Sequence, residues 1–433
     1  MKSKKTGKLV FFVVLILILA LTFTNKAAKE MSDRVKELTQ KKLQNLTVST
    51  FHAFGVKILR SDIERLGYRE NFSIYDETDR TALIKECGRE LKFSPDALDI
   101  YKISTLFSNI KTGRKNWETA NDMYRQLYES YQEGLKLYNA VDFDDLIVLP
   151  IKLFKENPDI LAKYKERYKY IMVDEFQDTS HQQYELMHLL ADKNVAVVGD
   201  DDQSIYKFRG AEVENILTFQ DHFEGTQVIK LETNYRSTGK ILACADAVVR
   251  HNEGRLGKTL VADRGEGTKP VLTFLDNQDD EADYCANLIK KSVQDKKSSY
   301  GDWAILYRTN AQATFFETLF KRRKIPYQIV GSITFFEREE IRDVLAYLEL
   351  IANPRNEVAF KRIVNKPTRG VGEKSQEKII KASQETFGGL IEELNLVNFA
   401  RDFIPNLAKK AGEGLRESCS KMEEFRTLLE EQS

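Results

Sequence analysis

The chain has 433 residues, 42% of them hydrophobic and 30% charged, the balance of an ordinary multi-domain protein somewhat rich in charge. Its 66 basic and 66 acidic residues cancel, which argues against nucleic-acid binding by a bulk positive field and leaves a local basic groove as the way to hold such a partner. Cys87, Cys244, Cys285 and Cys419 are scattered and the five histidines show no ligand spacing, so neither a disulfide framework nor a structural metal is expected.

At the amino terminus Lys2, Lys4, Lys5 and Lys8 precede an unbroken apolar run, Leu9 to Leu21. A basic start and a run of that length imitate a signal peptide, but the run is short of the ~20 apolar residues that span a bilayer. From Ala53 to about Asn139 the sequence is rich in Lys, Glu, Tyr and Leu at helical spacing. Next come two short apolar runs, Tyr170–Val173 and Val195–Val198, with the length and β-branched content of buried parallel strands. Between them Tyr184, Met187 and Leu190 fall three apart, which suits a crossover helix packed on a sheet. Each run ends in carboxylates, Asp174 and Glu175 after the first and Asp200, Asp201 and Asp202 after the second. The carboxyl edge of an open parallel sheet is where ligands bind, and an Asp-Glu pair delivered there suits Mg²⁺ and an attacking water. Alone, such a pair is more often a helix cap. A second α/β alternation follows Asn234, with strands expected at Val271–Leu275, Trp303–Tyr307 and Tyr327–Val330 and a helix at Glu281–Lys291. Beyond Pro354 the pattern is helical.

The carboxylates sit in longer stretches. Asp174-Glu-Phe-Gln-Asp-Thr179, Gly199-Asp-Asp-Asp-Gln-Ser-Ile-Tyr-Lys-Phe-Arg-Gly-Ala211 and Leu231-Glu-Thr-Asn-Tyr-Arg-Ser237 closely resemble UvrD/Rep-type superfamily 1 DNA helicases. Leu21-Thr-Phe-Thr-Asn-Lys-Ala-Ala28, Thr50-Phe-His-Ala-Phe54, Asp142-Phe-Asp-Asp-Leu146, Ile305-Leu-Tyr-Arg-Thr-Asn310, Phe335-Phe-Glu-Arg338 and Arg369-Gly-Val-Gly372 extend the resemblance in the family's order. The resemblance implies an α/β fold of RecA-like parallel sheets with helices on both faces, plus two mainly helical inserted subdomains. Residues 1–230 would be the first RecA-like domain, with a helical insertion at about 56–140. Residues 231–352 would be part of a second, and 353–433 the start of a helical subdomain inserted in it. Ile18–Thr22 then reads as a buried strand beside Tyr170–Val173, with Thr24 and Asn25 at its carboxyl end. That favours a cytoplasmic protein over one anchored in a membrane through residues 9–23.

By the same resemblance the activity is ATP-dependent 3′→5′ translocation on single-stranded DNA with unwinding of the duplex, in DNA repair or replication, with ATP and Mg²⁺ as cofactors. Asp174 looks like the Mg²⁺-associated carboxylate and Glu175 the residue that activates water. Gln203 and Arg236 resemble the γ-phosphate contacts, and Tyr235 the ring on the adenine. Single-stranded DNA and single/double-strand junctions would meet Phe23, Thr24, Asn25, Phe51, His52, Tyr206, Phe208 and Arg209, aromatic faces and basic groups together being what sequence-tolerant binding needs. For Phe51 a place in the core is an equal reading, and for Arg369-Gly-Val-Gly372 a helix-capping turn stands beside a duplex-phosphate contact.

Four departures qualify the activity. No G-x-x-x-x-G-K-[ST] phosphate loop occurs: Gly7-Lys8 is its only fragment, with Lys2 at the first Gly and Leu9 at the Ser/Thr. The family's adenine-contacting Gln and its last two motifs, one bringing a second Arg, have no counterpart in these 433 residues. Phe208 stands where Trp is common. The expectation is therefore a chain impaired or inactive as a motor. The alternatives are a non-catalytic single-stranded DNA-binding remnant and a truncated gene product without function of its own.

Overall fold

A computed structural model describes residues 18–40, 46–94, 98–117, 122–330, 339–354, 356–387 and 395–432. The leader up to residue 17 and the Phe335–Arg338 stretch lie outside the described residues. The chain divides into two compact units, Met1–Thr268 and Lys269–Ser433.

The first unit begins β1 (Ile18–Thr22), α1 (Asn25–Thr39), β2 (Thr47–Thr50) and α2 (Phe51–Asp62). An excursion follows through β3 (Ser73–Ile74), α3 (Glu77–Glu90), α4 (Ile100–Lys111), α5 (Asp122–Leu137) and β4 (Ala140–Val141). The chain then returns through α6 (Asp145–Glu156), α7 (Pro158–Arg167), β5 (Tyr170–Val173), α8 (His181–Leu190) and β6 (Val195–Val197). Two one-turn helices lead to β7 (Thr233–Asn234), α9 (Gly239–Val249) and β8 (Val261–Ala262).

Four strands pair in the order β2-β1-β5-β6, all parallel. β1 is buried along its whole length, as its Ile-Leu-Ala-Leu-Thr sequence requires of a strand covered on both faces. Ile18 lies opposite Tyr170 and Leu21 opposite Val173, so the two runs pair in parallel as expected. The last part of the amino-terminal apolar run is thus sheet. No helix among the described residues is long and apolar enough to cross a membrane. Tyr184, Met187 and Leu190 of α8 are buried against this sheet with Leu19, Leu21, Phe54, Ile171 and Val173. β6 differs from expectation. As the edge strand it is only partly covered, Ala196 and the following Val198 being exposed, because an edge strand is packed from fewer sides.

The excursion is mainly helical and has its own buried residues, among them Leu83, Ile103, Phe107, Leu127 and Tyr131. Asp76 opens α3 with a reciprocal capping box to Asp79, which satisfies two of the helix's free N–H groups. β3 and β4 pair in parallel and join the two ends of the excursion. At its root α2 crosses α6 at backbone distance, since a Cβ on Gly55 would collide with the Leu146 carbonyl oxygen.

The second unit is helical. α10 (Gln278–Gln294) and α11 (Ala313–Arg323) bury Ala282, Ala286, Ile289, Leu319 and Phe320 between them. Beyond them lie α12 (Glu339–Ala352), α13 (Glu357–Ile363), α14 (Glu373–Phe387), α15 (Leu396–Asp402) and α16 (Lys409–Gln432). The strands expected at Val271–Leu275, Trp303–Tyr307 and Tyr327–Val330 are not formed. Each is extended in sequence character, but a strand exists only where a neighbour accepts its ladder, and none of the three pairs with another segment among the described residues. Leu272, Phe274 and Leu306 are accordingly left exposed.

Candidate active site and nucleic-acid interface

Because the four strands run parallel, the residues that follow them share one edge. β1 delivers Phe23, Thr24 and Asn25, β2 delivers Thr50 to His52, β5 delivers Asp174 and Glu175, and β6 delivers Asp200. Thr24 and Thr50 cap α1 and α2, their hydroxyls accepting from the Ala27 and Ala53 N–H groups at 3.1 and 3.2 Å. Thr50 also donates to Asn25 Oδ1 at 3.4 Å, tying the two caps together.

Asp174 is half-buried, its N–H bonded to the Leu21 carbonyl, and burial followed by the adjacent Glu175 raises its pKa. Glu175 is exposed and held at φ 52°, a left-handed conformation unusual for Glu and of the kind found where structure over-determines a backbone. Its carboxylate accepts from Gln177 Nε2 at 2.9 Å. Buried Gln177 also accepts the Asp200 N–H on Oε1 at 2.9 Å, and its carbonyl takes the Ser204 hydroxyl at 3.1 Å. Gln203 Nε2 donates to Asp200 Oδ2 at 2.8 Å. One amide therefore joins the carboxylate after β5 to the turn after β6. Asp178 is buried beside them with Oδ1 unpartnered, and burial with the Glu175 charge pushes its pKa up to about 6.

Asp200, Asp201 and Asp202 crowd closely enough to hold a cation, but basic groups already face them. Arg255 grips Asp202 with two bonds of 2.5 and 2.6 Å, and Lys258 pairs with all three carboxylates. Tyr235 and Arg236 lie exposed in a turn organised by Asn234 Oδ1, which accepts from the Arg236 and Ser237 N–H groups. No hydrogen bond, ion pair or ring contact among the described residues links either to Asp174, Glu175 or Gln203.

Two aromatic groups stand at the same edge. Phe23 packs on Tyr206 at 5.1 Å between centroids, Tyr206 on Phe208 at 6.0 Å, and the Arg209 guanidinium lies 5.5 Å from both of the latter rings. Phe208 is 65% exposed. His52 stacks on Phe143 at 4.1 Å, with Phe143 58% exposed. Burial pulls the His52 pKa down to about 4, so this imidazole is neutral and offers a face rather than a charge. Phe51, for which interface and core were equal readings, is a core residue at 2% exposure, packed with Leu21, Phe54 and Val173. Position one of α2 points into the sheet, and His52 at position two is only partly covered. Arg369 is likewise internal: its guanidinium bonds the Ile363 and Lys366 carbonyls, and its N–H goes to Asn365, so this side chain is engaged in packing within its own unit.

Sequence reasoning overlooked Phe143 and Gln177, although both lie in quoted motifs. An aromatic ring set among three acids in Asp142-Phe-Asp-Asp145 is the signal that was available for the first. Gln177 carried none, because its role depends on what β6 brings alongside.

The parallel sheet with carboxylates and exposed rings at one edge defines a class, and sequence comparison gives the family. Residues 13–224 match the UvrD/REP helicase N-terminal domain, and residues 229–411 the UvrD-like helicase C-terminal domain. The chain belongs to the UvrD-type superfamily 1 helicases. Among its relatives are the ATP-dependent DNA helicase PcrA of Staphylococcus epidermidis, 41% identical over 426 residues (96% of this chain, 57% of that protein), and the ATP-dependent DNA helicase PcrA of Bacillus subtilis, 42% identical over 383 residues (86% and 52%). The chain thus spans little more than half the length of these relatives.

Proposed function

We propose that this chain carries the DNA-gripping edge and half of the nucleotide chemistry of an ATP-dependent 3′→5′ single-stranded DNA translocase and helicase. The observation that carries the reading is the placement of two exposed aromatic groups, Phe23–Tyr206–Phe208 with Arg209 and His52–Phe143, on the edge that also holds Asp174 and Glu175. Rings for bases and a guanidinium for phosphate suit a single strand of any sequence. Junction DNA as the preferred substrate, a cytoplasmic setting and a division into two RecA-like domains near residue 230 belong to the same proposal.

The donors fit Mg²⁺ in part. Asp174 offers a half-exposed carboxylate at the strand end, and the buried Thr22 hydroxyl and Asp178 Oδ1 nearby lack partners. Bound there with ATP, the cation would neutralise phosphate charge. Glu175 is placed to orient a water, with Gln177 fixing its carboxylate. Gln203 would sense the terminal phosphate, and Tyr235 and Arg236 would take the base and the γ-phosphate. The phosphate cradle does not fit in the same way. These 433 residues hold no G-x-x-x-x-G-K-[ST] stretch, and the Lys258 ammonium is engaged by Asp200, Asp201 and Asp202. A polypeptide of these residues alone is therefore expected to bind single-stranded DNA and to turn over ATP slowly or not at all.

The test is fluorescence anisotropy with a labelled dT oligonucleotide, run beside DNA-stimulated ATP turnover of the chain and its Glu175→Gln variant. Absence of DNA binding would sink the proposal. Clear turnover abolished by Glu175→Gln would show that a triphosphate is held without the loop.

A further inference from the structure

We infer that Lys111, from the helical excursion, is a positioning residue for the DNA-facing ring of Phe143. The inference rests on the DNA-binding reading above and adds to it the device that aims one of its rings.

Three carboxylates flank Phe143 in the sequence, and all three are held by the excursion. Lys111, at the end of α4 and only 4% exposed in its side chain, places Nζ 2.7 Å from Asp142 and 2.9 Å from Asp145. Each of these aspartates donates its backbone N–H to the other's carboxylate, Asp142 to Asp145 Oδ2 at 3.1 Å and Asp145 to Asp142 Oδ1 at 3.0 Å, closing the turn on which Phe143 stands. Tyr131 of α5 donates to Asp142 at 2.8 Å. Asp144 takes the Ser108 hydroxyl at 3.1 Å and pairs with Arg80 of α3 at 3.4 Å. Burial opposes the charge on Lys111, but Asp145 and Asp142 outweigh it and hold the ammonium above its ordinary pKa. Burial pushes the Asp145 carboxyl up to about 7, while Lys111 holds Asp142 low against burial, so Lys111 and Asp142 are the ionic pair across the neutral range.

The end of α4 also reaches the other aromatic group. Arg114 bonds Ser108 and Thr112, and it rests on Gly210, where a Cβ would lie 2.7 Å from its Nη1. Gly210 closes the Lys207–Arg209 turn at φ 90°. Ser108, Lys111 and Arg114 thus touch the supports of both Phe143 and Phe208. A cation buried this fully, on a helix that supplies no group to the sheet edge itself, has the placement of a part that sets another residue's geometry.

The experiment uses the full 433-residue chain and a dT oligonucleotide of about 16 nucleotides, the upper site size of a single-strand groove, carrying one 2-aminopurine. Lys111→Met, Asp145→Asn, Phe143→Ala and the Lys111→Met/Phe143→Ala pair are compared by anisotropy, 2-aminopurine emission and thermal melting. Lys111→Met and Asp145→Asn should each weaken binding about five- to ten-fold, near the lower end of one base–aromatic stack, and relieve part of the 2-aminopurine quenching. The double variant should bind no more weakly than Phe143→Ala. A folded Lys111→Met chain with wild-type affinity and quenching overturns the inference, as do additive losses in the double variant. If Lys111→Met fails to fold, Asp145→Asn decides by the same two readings. Should the wild-type chain bind no dT at all, the DNA reading falls and this inference with it; loss in Phe143→Ala alone overturns only the role of Lys111.

Discussion

Phe208 and Phe51 have opposite environments, so their truncation should fail in opposite ways. A base stacked on Phe208 is worth ~1–3 kcal/mol, and Phe208→Ala should weaken dT binding roughly ten-fold with the melting temperature little changed. Phe51→Ala removes a buried ring and should cost ~3–5 kcal/mol of stability, read as an earlier thermal or denaturant midpoint. Each ring lies in a quoted motif with a nitrogen-bearing neighbour, Lys207 and Arg209 beside Phe208 and His52 beside Phe51. What separates them is the first turn of α2, whose rotation about its axis follows from packing on β2 and β1 and leaves no local trace. Asp174, Glu175 and the Tyr206–Arg209 stretch were legible because short motifs fix both their order and their strand ends. Asp178 makes a further residue-scale prediction. Its folded-state pKa, raised to about 6 from the usual 3.8, means that the folded chain binds a proton the unfolded chain has released. Its contribution therefore grows more favourable as pH falls through that interval and turns into a penalty above it. Asp178→Asn should raise the melting temperature at about pH 8 and leave it nearly unchanged at about pH 4, where the wild-type side chain is already neutral.

At the scale of elements, β5 was legible from an apolar run of strand length, β1 only through the family resemblance, and α8 from its three-residue spacing. The failed strands of the second unit had the same composition. Val271–Leu275 is as apolar as Tyr170–Val173, but pairing is a property of two segments, and a single run does not specify its neighbour. The crossing of α2 and α6 was equally invisible, since Gly55 sits mid-helix where glycine has no conformational task. Its task is to leave room for the Leu146 carbonyl. Gly55→Ala would improve helix propensity by up to ~1 kcal/mol in an exposed helix. Here the clash should dominate, with a net loss of about 1–3 kcal/mol typical of overpacking, measured by urea unfolding. A gain in stability would show that the two helices can part at little cost.

For the whole molecule, the proposed binding of single-stranded DNA would have to work at zero net charge. If the strand follows the Phe23–Tyr206–Phe208 rings, Arg209 is the basic group placed against them, and salt should weaken binding only gently, the slope of log affinity against log salt being about 0.7 per phosphate contacted on single strands. Arg209→Ala should reduce that slope by about 0.7, whereas Phe208→Ala should lower affinity and leave the slope alone. A steep slope surviving Arg209→Ala would place the phosphate contacts elsewhere.

The meeting of Gly55 and Leu146 also bears on the order in which the chain assembles. These residues are about ninety apart in sequence, and tying the ends of so long a loop costs about 4 kcal/mol by the logarithmic rule. The parallel pairing of Ser73–Ile74 with Ala140–Val141 is a clasp across the base of that loop. Once it closes around α3, α4 and α5, only the short arms from Gly55 to Ser73 and from Val141 to Leu146 stay open, and the remaining cost falls to about 3 kcal/mol. The excursion is thereby the scaffold on which the two halves of the sheet's own sequence are brought together.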